Sequence, residues 1–274
     1  MLDKNKSLAI FAGNGILPKI LINECEKIGR KFFIFQLKGQ KYDIDYSKYN
    51  PVVLAYGEIE RFLGILRQNN VSDMVFIGSV IKPNFSNLKV DKKGTILLAK
   101  ILANKILGDD AVLRTVLNFF KKEGFKIWAI DELIDCVFVK KEVLTIIKPN
   151  SDDIFDINLG RKAIGVFSKF DVGQSIIVAQ KQIIAIEAVE GTDTMISRCK
   201  DLNIEYKDNA ILVKTKKHNQ TRNADLPTIG VKTIENCKEA GIKGIAIESK
   251  STLVLEKELV VKKADELGLF ITVI

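Results

Sequence analysis

Short, almost unbroken apolar runs alternating with stretches of helical spacing constrain the fold of this chain more than any other feature. In the first half, Ser7–Ala12, Phe32–Leu37, Pro51–Tyr56 and Met74–Val80 read as strands, with a shorter one at Lys126–Ile130. Between them a helix begins near Leu17-Pro18, and others span Glu58–Asn69, Thr95–Leu107 and Asp109–Glu123. Strands without polar alternation must be covered on both faces, which is the condition of a parallel sheet flanked by helices. An α/β fold is expected.

The second half is more mixed. A helix over Asp152–Phe170 precedes two β-rich runs, Gln174–Ala179 and Gln182–Ala188, which meet around Gln180-Lys181 as a hairpin. A helix from Glu190 to Asp201 and a strand at Ala210–Thr215 follow. Then come a helix at Lys232–Ala240, strands at Gly244–Ile247 and Thr252–Leu255, a helix at Lys257–Leu267 and a strand at Phe270–Val273. Lys148-Pro149-Asn150-Ser151 has linker composition. The reading is a parallel-sheet domain over 1–132, a linker region over 133–150 and a mixed α/β domain over 151–274.

The 274 residues, 47% hydrophobic and 28% charged, suffice for two cores. No apolar run approaches the about 20 residues of a membrane-spanning helix, and the N-terminus has no signal-peptide core, so a cytoplasmic protein is expected. Cys25, Cys136, Cys199 and Cys237 are scattered, as reduced, mostly buried thiols are. The single histidine, His218, excludes a His-ligated metal centre. Much of the net charge of +8 sits in lysine pairs such as Lys92-Lys93 and Lys216-Lys217. These read as solvated surface, or as attraction to anionic lipid or a phosphorylated substrate. Nucleic-acid binding has no Arg-rich block or recognition motif behind it.

Two glycine turns follow strands. Gly13-Asn14-Gly15 lacks the third glycine of a dinucleotide fingerprint, which would fall at Pro18, and no ribose-binding acid ends the second strand. A nicotinamide dehydrogenase is disfavoured; a tight βα turn, or backbone N–H groups for a phosphate or sugar hydroxyl, remains. Gly78-Ser79-Val80-Ile81-Lys82 repeats the pattern and brings a cation, unless Lys82 is simply solvated. Both turns fall at the carboxyl ends of strands, where ligands of open parallel sheets bind. Asp109 and Asp110 begin a helix as caps do, and Arg114 can pair with Asp110 along one face; alternatively the acids bind a metal or sugar and Arg114 a phosphate.

Two further segments carry more polar chemistry. In Glu187-Ala188-Val189-Glu190-Gly191-Thr192-Asp193, Thr192 or Asp193 can cap a helix, but Glu187 follows Ile184, Ala185 and Ile186 and needs a cation, either a metal or a lysine. Lys214, Lys216, Lys217, His218, Gln220, Arg222 and Asp225 form the densest polar cluster, before Leu226-Pro227-Thr228-Ile229-Gly230. Read blandly, this is a polar loop. Read as a site, its cations suit phosphoryl oxygens and Asp225 suits a metal or the attacking water. Loops of the P-loop, kinase and α/β-hydrolase types are absent.

The runs AGNGILP, GDDAVLR, DVGQSIIV, IEAVEGTD and QTRNADLPTIG, in that order along nearly the full length, resemble the UDP-2,3-diacylglucosamine pyrophosphatases of the LpxI type. The resemblance implies lipid A biosynthesis, with hydrolysis to UMP and 2,3-diacylglucosamine 1-phosphate, Mg²⁺ as cofactor, and water attacking the sugar-side phosphorus. It also implies a Rossmann-like N-terminal domain, a distinct C-terminal domain and a ligand held between them, and work at the inner-leaflet membrane surface, with a homo-oligomer left open. The family's essential aspartate matches Asp225, and Gln220 and Arg222 match the same motif, so these three are expected to be catalytic; in the mechanism that follows, Asp225 with Glu190 or Asp193 holds the metal. Substrate contacts fall to Gly13, Asn14, Gly15, Gly78, Lys82, Asp110, Arg114, Gln174, Thr192 and Lys214. One departure is that Thr221 stands where the family often has an aspartate. The acyl chains need an apolar crevice, expected at the domain interface. A non-catalytic binder of the same nucleotide-sugar lipid is the competing reading.

Overall fold

The computed structural model describes residues 6–81, 83–104, 109–134, 137–170, 172–201, 206, 208–216 and 226–274. These fold as two compact units, one formed by the described residues up to Ile134 and one by those from Val137 onward.

The first unit runs β1 (Leu8–Ala12), α1 (Leu17–Ile28), β2 (Phe32–Leu37), β3 (Val52–Leu54), α2 (Ile59–Gln68), β4 (Asp73–Ile77), α3 (Lys92–Asn104), α4 (Asp109–Lys122) and β5 (Lys126–Ile127). Its sheet has the order β3-β2-β1-β4-β5, with every pair parallel. The chain winds outward from β1 to β3, then returns and winds the other way through β4. The topological switch therefore lies between β1 and β4. Apolar strands explain the packing: Ala9, Phe35, Leu54 and Met74 share a core with Phe62 of α2, Leu97 of α3 and Leu117 of α4.

Several ends differ from the sequence reading for local reasons. Helix α3 starts at Lys92, not Thr95, because Asp91 caps it, its Oδ1 accepting from the Gly94 N–H at 2.7 Å. Strand β5 stops at Ile127, although the Trp128 N–H still reaches the Met74 carbonyl.

The second unit runs β6 (Val137–Phe138), α5 (Ser151–Phe167), β7 (Ser175–Ala179), β8 (Gln182–Ile186), α6 (Thr192–Arg198), β9 (Ala210–Lys214), β10 (Thr228–Ile229), α7 (Val231–Glu239), β11 (Ile242–Ile247), β12 (Leu253–Val254), α8 (Lys257–Leu267) and β13 (Phe270–Val273). Its main sheet is β13-β11-β9-β7-β8, parallel from β13 to β9 and antiparallel thereafter. Alternation along β9 divides the core. Ile211 and Val213 meet Ile157 and Ile164 of α5, while Leu212 meets Met195, Ile234 and Val260 of α6, α7 and α8. The β7–β8 hairpin turns through Gln180 and Lys181, whose φ values of 50° and 64° give the left-handed pair of a two-residue turn. The buried Asp156 fixes that turn by accepting from the Lys181 N–H at 2.7 Å.

The stretch 133–150, expected as a linker, is largely built in. Leu133 and Ile134 are buried, β6 pairs antiparallel with β12, and Val139 joins the core of the second unit. The Leu144 N–H donates to the Ile271 carbonyl at 2.9 Å. Strand β12 falls within the expected strand Thr252–Leu255, whereas β6 and β10 hold two residues each, too short for any periodicity to announce them.

Candidate functional site

Each unit presents a polar arrangement at the carboxyl end of its parallel strands. In the first, the two glycine turns follow β1 and β4, the strands on either side of the switch. They are tied to each other: the Gly13 N–H donates to the Ile77 carbonyl, and Asn14 and Ser79 exchange backbone hydrogen bonds of 2.7 and 2.9 Å. The crossing is so close that a β-carbon on Gly78 would lie 2.5 Å from the Asn14 carbonyl oxygen, and one on Gly13 equally near that of Ser79. The Asn14 Oδ1 accepts from the N–H groups of Gly15 and Asp43. Gln40 braces the second turn, accepting from the Ile81 N–H at 2.9 Å and donating to the Ile81 carbonyl.

This geometry separates two glycines that look alike in sequence. Gly78→Ala is expected to cost more than the about 1–3 kcal/mol of a strained left-handed residue, since its φ of 89° adds to a backbone clash. Gly15→Ala, at φ 97° with nothing within 4 Å of the new carbon, bears the strain alone. Thermal melting of both variants checks the ranking, and equal losses would contradict the close crossing.

In the second unit, β9 ends on Lys214, which pairs in register with Ser175 at the start of β7 and with Ile247 at the end of β11. Lys214 is buried, and so is Glu187 just past β8. Thr192, the first residue of α6, lies between them. The Lys214 Nζ donates to the Thr192 Oγ1 at 3.0 Å, and the Thr192 hydroxyl donates to the Glu187 Oε2 at 3.0 Å. A hydroxyl has one proton to give, so Ser175, 3.2 Å from Thr192, must be the donor to it. The Gln174 N–H completes the set, 3.4 Å from the Glu187 carboxylate. A lysine, one of the two cations open to Glu187 from the sequence, is linked to it through threonine. Such a network places a positive charge at a strand end and keeps it compensated in the interior.

The remaining expected residues distribute as follows. Glu190 pairs with Arg198 at 3.1 Å, and Asp193 accepts from Asn236 of α7 at 3.2 Å. Among the described residues no three acids, cysteines or histidines gather into a metal site. Arg114 lies on the exposed side of α4. Lys82, Gln220, Arg222 and Asp225 lie outside the described residues, as do His218 and the side chain of Asp110. Cys25, Cys199 and Cys237 are free, buried thiols; burial pushes Cys25 up to about 11, which disqualifies it as a nucleophile. Ser175 and Gln40 were not singled out from the sequence: one sits inside an apolar strand and the other in an unremarkable loop, so neither carried a signal.

The models of the LpxI N-terminal and C-terminal domains match residues 7–137 and 140–272. The chain is also similar to the UDP-2,3-diacylglucosamine pyrophosphatase LpxI of Caulobacter vibrioides, 34% identical over 97% of this chain and 96% of that protein. The chain belongs to the LpxI family. Within an LpxI fold, the glycine turns belong to the N-terminal family domain and the Lys214–Thr192–Glu187 network to the C-terminal one. Among the described residues, no helix is long and apolar enough to cross a membrane.

Proposed function

We propose that this chain hydrolyses UDP-2,3-diacylglucosamine to UMP and 2,3-diacylglucosamine 1-phosphate, as a step of lipid A biosynthesis at the inner-leaflet membrane surface. The observation that carries the reading is the full-length similarity to a pyrophosphatase of that printed specificity. Water adds to the sugar-side phosphorus, the bond from that phosphorus to the bridging oxygen breaks, and UMP departs with that oxygen. Asp225 orients the water and takes its proton. Arg222 and Lys214 balance charge on the phosphoryl oxygens, and Gln220 orients them. The N–H groups of the glycine turns meet polar groups of the ligand.

Magnesium fits this reading without a three-acid cage. It is commonly held by one or two carboxylates plus substrate phosphates. Asp225 would supply the main carboxylate; Glu190 is engaged by Arg198 and Asp193 by Asn236, so each would have to exchange a partner to join it. When bound, the ion supplies charge neutralisation at the pyrophosphate. The test is incubation of the purified chain with the radiolabelled substrate in heavy-oxygen water, with magnesium and with EDTA. Equimolar products are expected with magnesium alone, the heavy oxygen appearing in the sugar phosphate. Label in UMP would reverse the direction of attack. No product from folded protein would leave a non-catalytic binder of the same lipid.

A further inference from the structure

The first unit contains a cavity of about 460 Å³ whose lining comes from β1, β4, α2, α3 and α4 and the loop before α3. Close-packed interiors leave few voids larger than one water, whose share of liquid volume is about 30 Å³. This cavity is more than ten times that, and falls in the range of about 300–1,000 Å³ typical of ligand sites. Its wall is hydrocarbon and aromatic ring. Tyr56, Glu58 and Ser79 are the only polar side chains among the described lining residues, and two of them are engaged elsewhere. The Tyr56 hydroxyl donates to the Ile81 carbonyl, and the Glu58 carboxylate accepts from the Ala55 N–H and pairs with Arg61. A water needs two to four polar partners, so such a space is a poor place for water.

The strands show the same vacancy of packing. In both central strands one residue alone escapes full burial, Phe11 in β1 and Phe76 in β4, and the two are register partners. Central parallel strands are ordinarily covered on both faces. Here the covering helices turn half-buried side chains, Leu98 of α3 and Val112, Leu113 and Val116 of α4, toward the cavity instead of closing it. Phe11, Phe62, Phe76 and Phe120 form a continuous set of ring contacts at 5.2–5.9 Å between centroids, so the wall is stiff. Gly78 and Ser79 also line the space, which joins it to the switch-point turns.

We propose that this cavity seats a fatty-acyl chain of the diacylated substrate, with the polar part of the ligand toward the glycine turns. The occupant follows from the hydrocarbon wall, the scarcity of polar side chains among the described lining residues and the continuity with a polar strand-end site; its source rests on the hydrolase reading above. Each methylene moved from water into such a wall is favourable, so the cavity acts as a length-sensing element.

The experiment compares long-chain and butyryl versions of UDP-2,3-diacylglucosamine, using wild type, Leu98→Trp and Val116→Trp, each checked for a wild-type melting curve. The ratio of kcat/KM for long over short chains is expected to fall by about tenfold or more in both variants. An unchanged ratio, with the wild type active, overturns the proposal and leaves the hydrolase reading intact. If the wild type hydrolyses neither compound, that reading fails, and fluorescent cis-parinaric acid then judges the cavity: saturable binding weakened in both variants supports an acyl seat, and no binding rejects it. Should a tryptophan variant fail to fold, the wild-type preference for long over short chains decides, and its absence rejects the seat.

Discussion

Replacing Asp225 by alanine is expected to lower turnover of UDP-2,3-diacylglucosamine by about 10²–10⁴-fold, the range lost when a positioned proton acceptor is removed. The melting curve is expected to stay near that of the wild type. Both flanks of the segment that carries Asp225 are anchored independently of it. On one side the Lys216 N–H donates to the Glu248 carboxylate at 3.0 Å. On the other, the Thr228 hydroxyl donates to the Leu226 carbonyl, and the Leu253 N–H donates to the Pro227 carbonyl at 2.8 Å. Lys214→Met is a poorer first probe, because it leaves Glu187 buried with its cation gone and so mixes stability with chemistry. Steady-state rates with magnesium check the prediction, and turnover within about twofold of wild type removes Asp225 from the transition state.

Much of this molecule was legible before any coordinates. The apolar runs that became β1, β2, β4 and β9, and the hairpin at Gln180-Lys181, are local signals: period, length and turn chemistry suffice for them. The exchange of hydrogen bonds between Asn14 and Ser79 is not local, since it depends on β1 and β4 becoming neighbours at the switch point. The sequence did show two glycine turns, but not that each excludes a β-carbon on the other. Glu187 was legible as a carboxylate in want of a cation. That Lys214 supplies it through Thr192 required the register of β7 and β9. The cavity was invisible, because Phe11, Phe76, Leu98 and Val116 read as ordinary core in sequence, and nothing in a residue's identity says that its neighbours stop short of it.

The largest loss of stability is expected from Asp73→Ala. Asp73 opens β4 at the amino end of the first sheet, opposite the glycine turns, and its Oδ2 accepts from the Arg30 Nη2 at 2.7 Å. The guanidinium is wholly buried and the carboxylate nearly so, at 0% and 3% exposure. The Arg30 Nε donates to the Lys6 carbonyl, while its Nη1 already lacks a partner. Removing the carboxylate strands a charge in the interior, which costs about 3–5 kcal/mol. Against a domain stability of about 5–15 kcal/mol, that is a large fraction. Trp128, the single tryptophan, lies in the first unit, so its fluorescence in urea reports the affected unit. Arg30→Met combined with Asp73→Leu is expected to recover most of the loss, because an apolar pair of similar volume carries no desolvation cost. A cost below about 1 kcal/mol for Asp73→Ala, the value of an exposed pair, would show that water reaches Arg30 in the folded protein. Asp73 opens β4 and the Gly78 turn follows its other end. The fraction of Asp73→Ala protein that remains folded is therefore expected to turn over substrate normally, and this separates a stability residue from a functional one on a single strand.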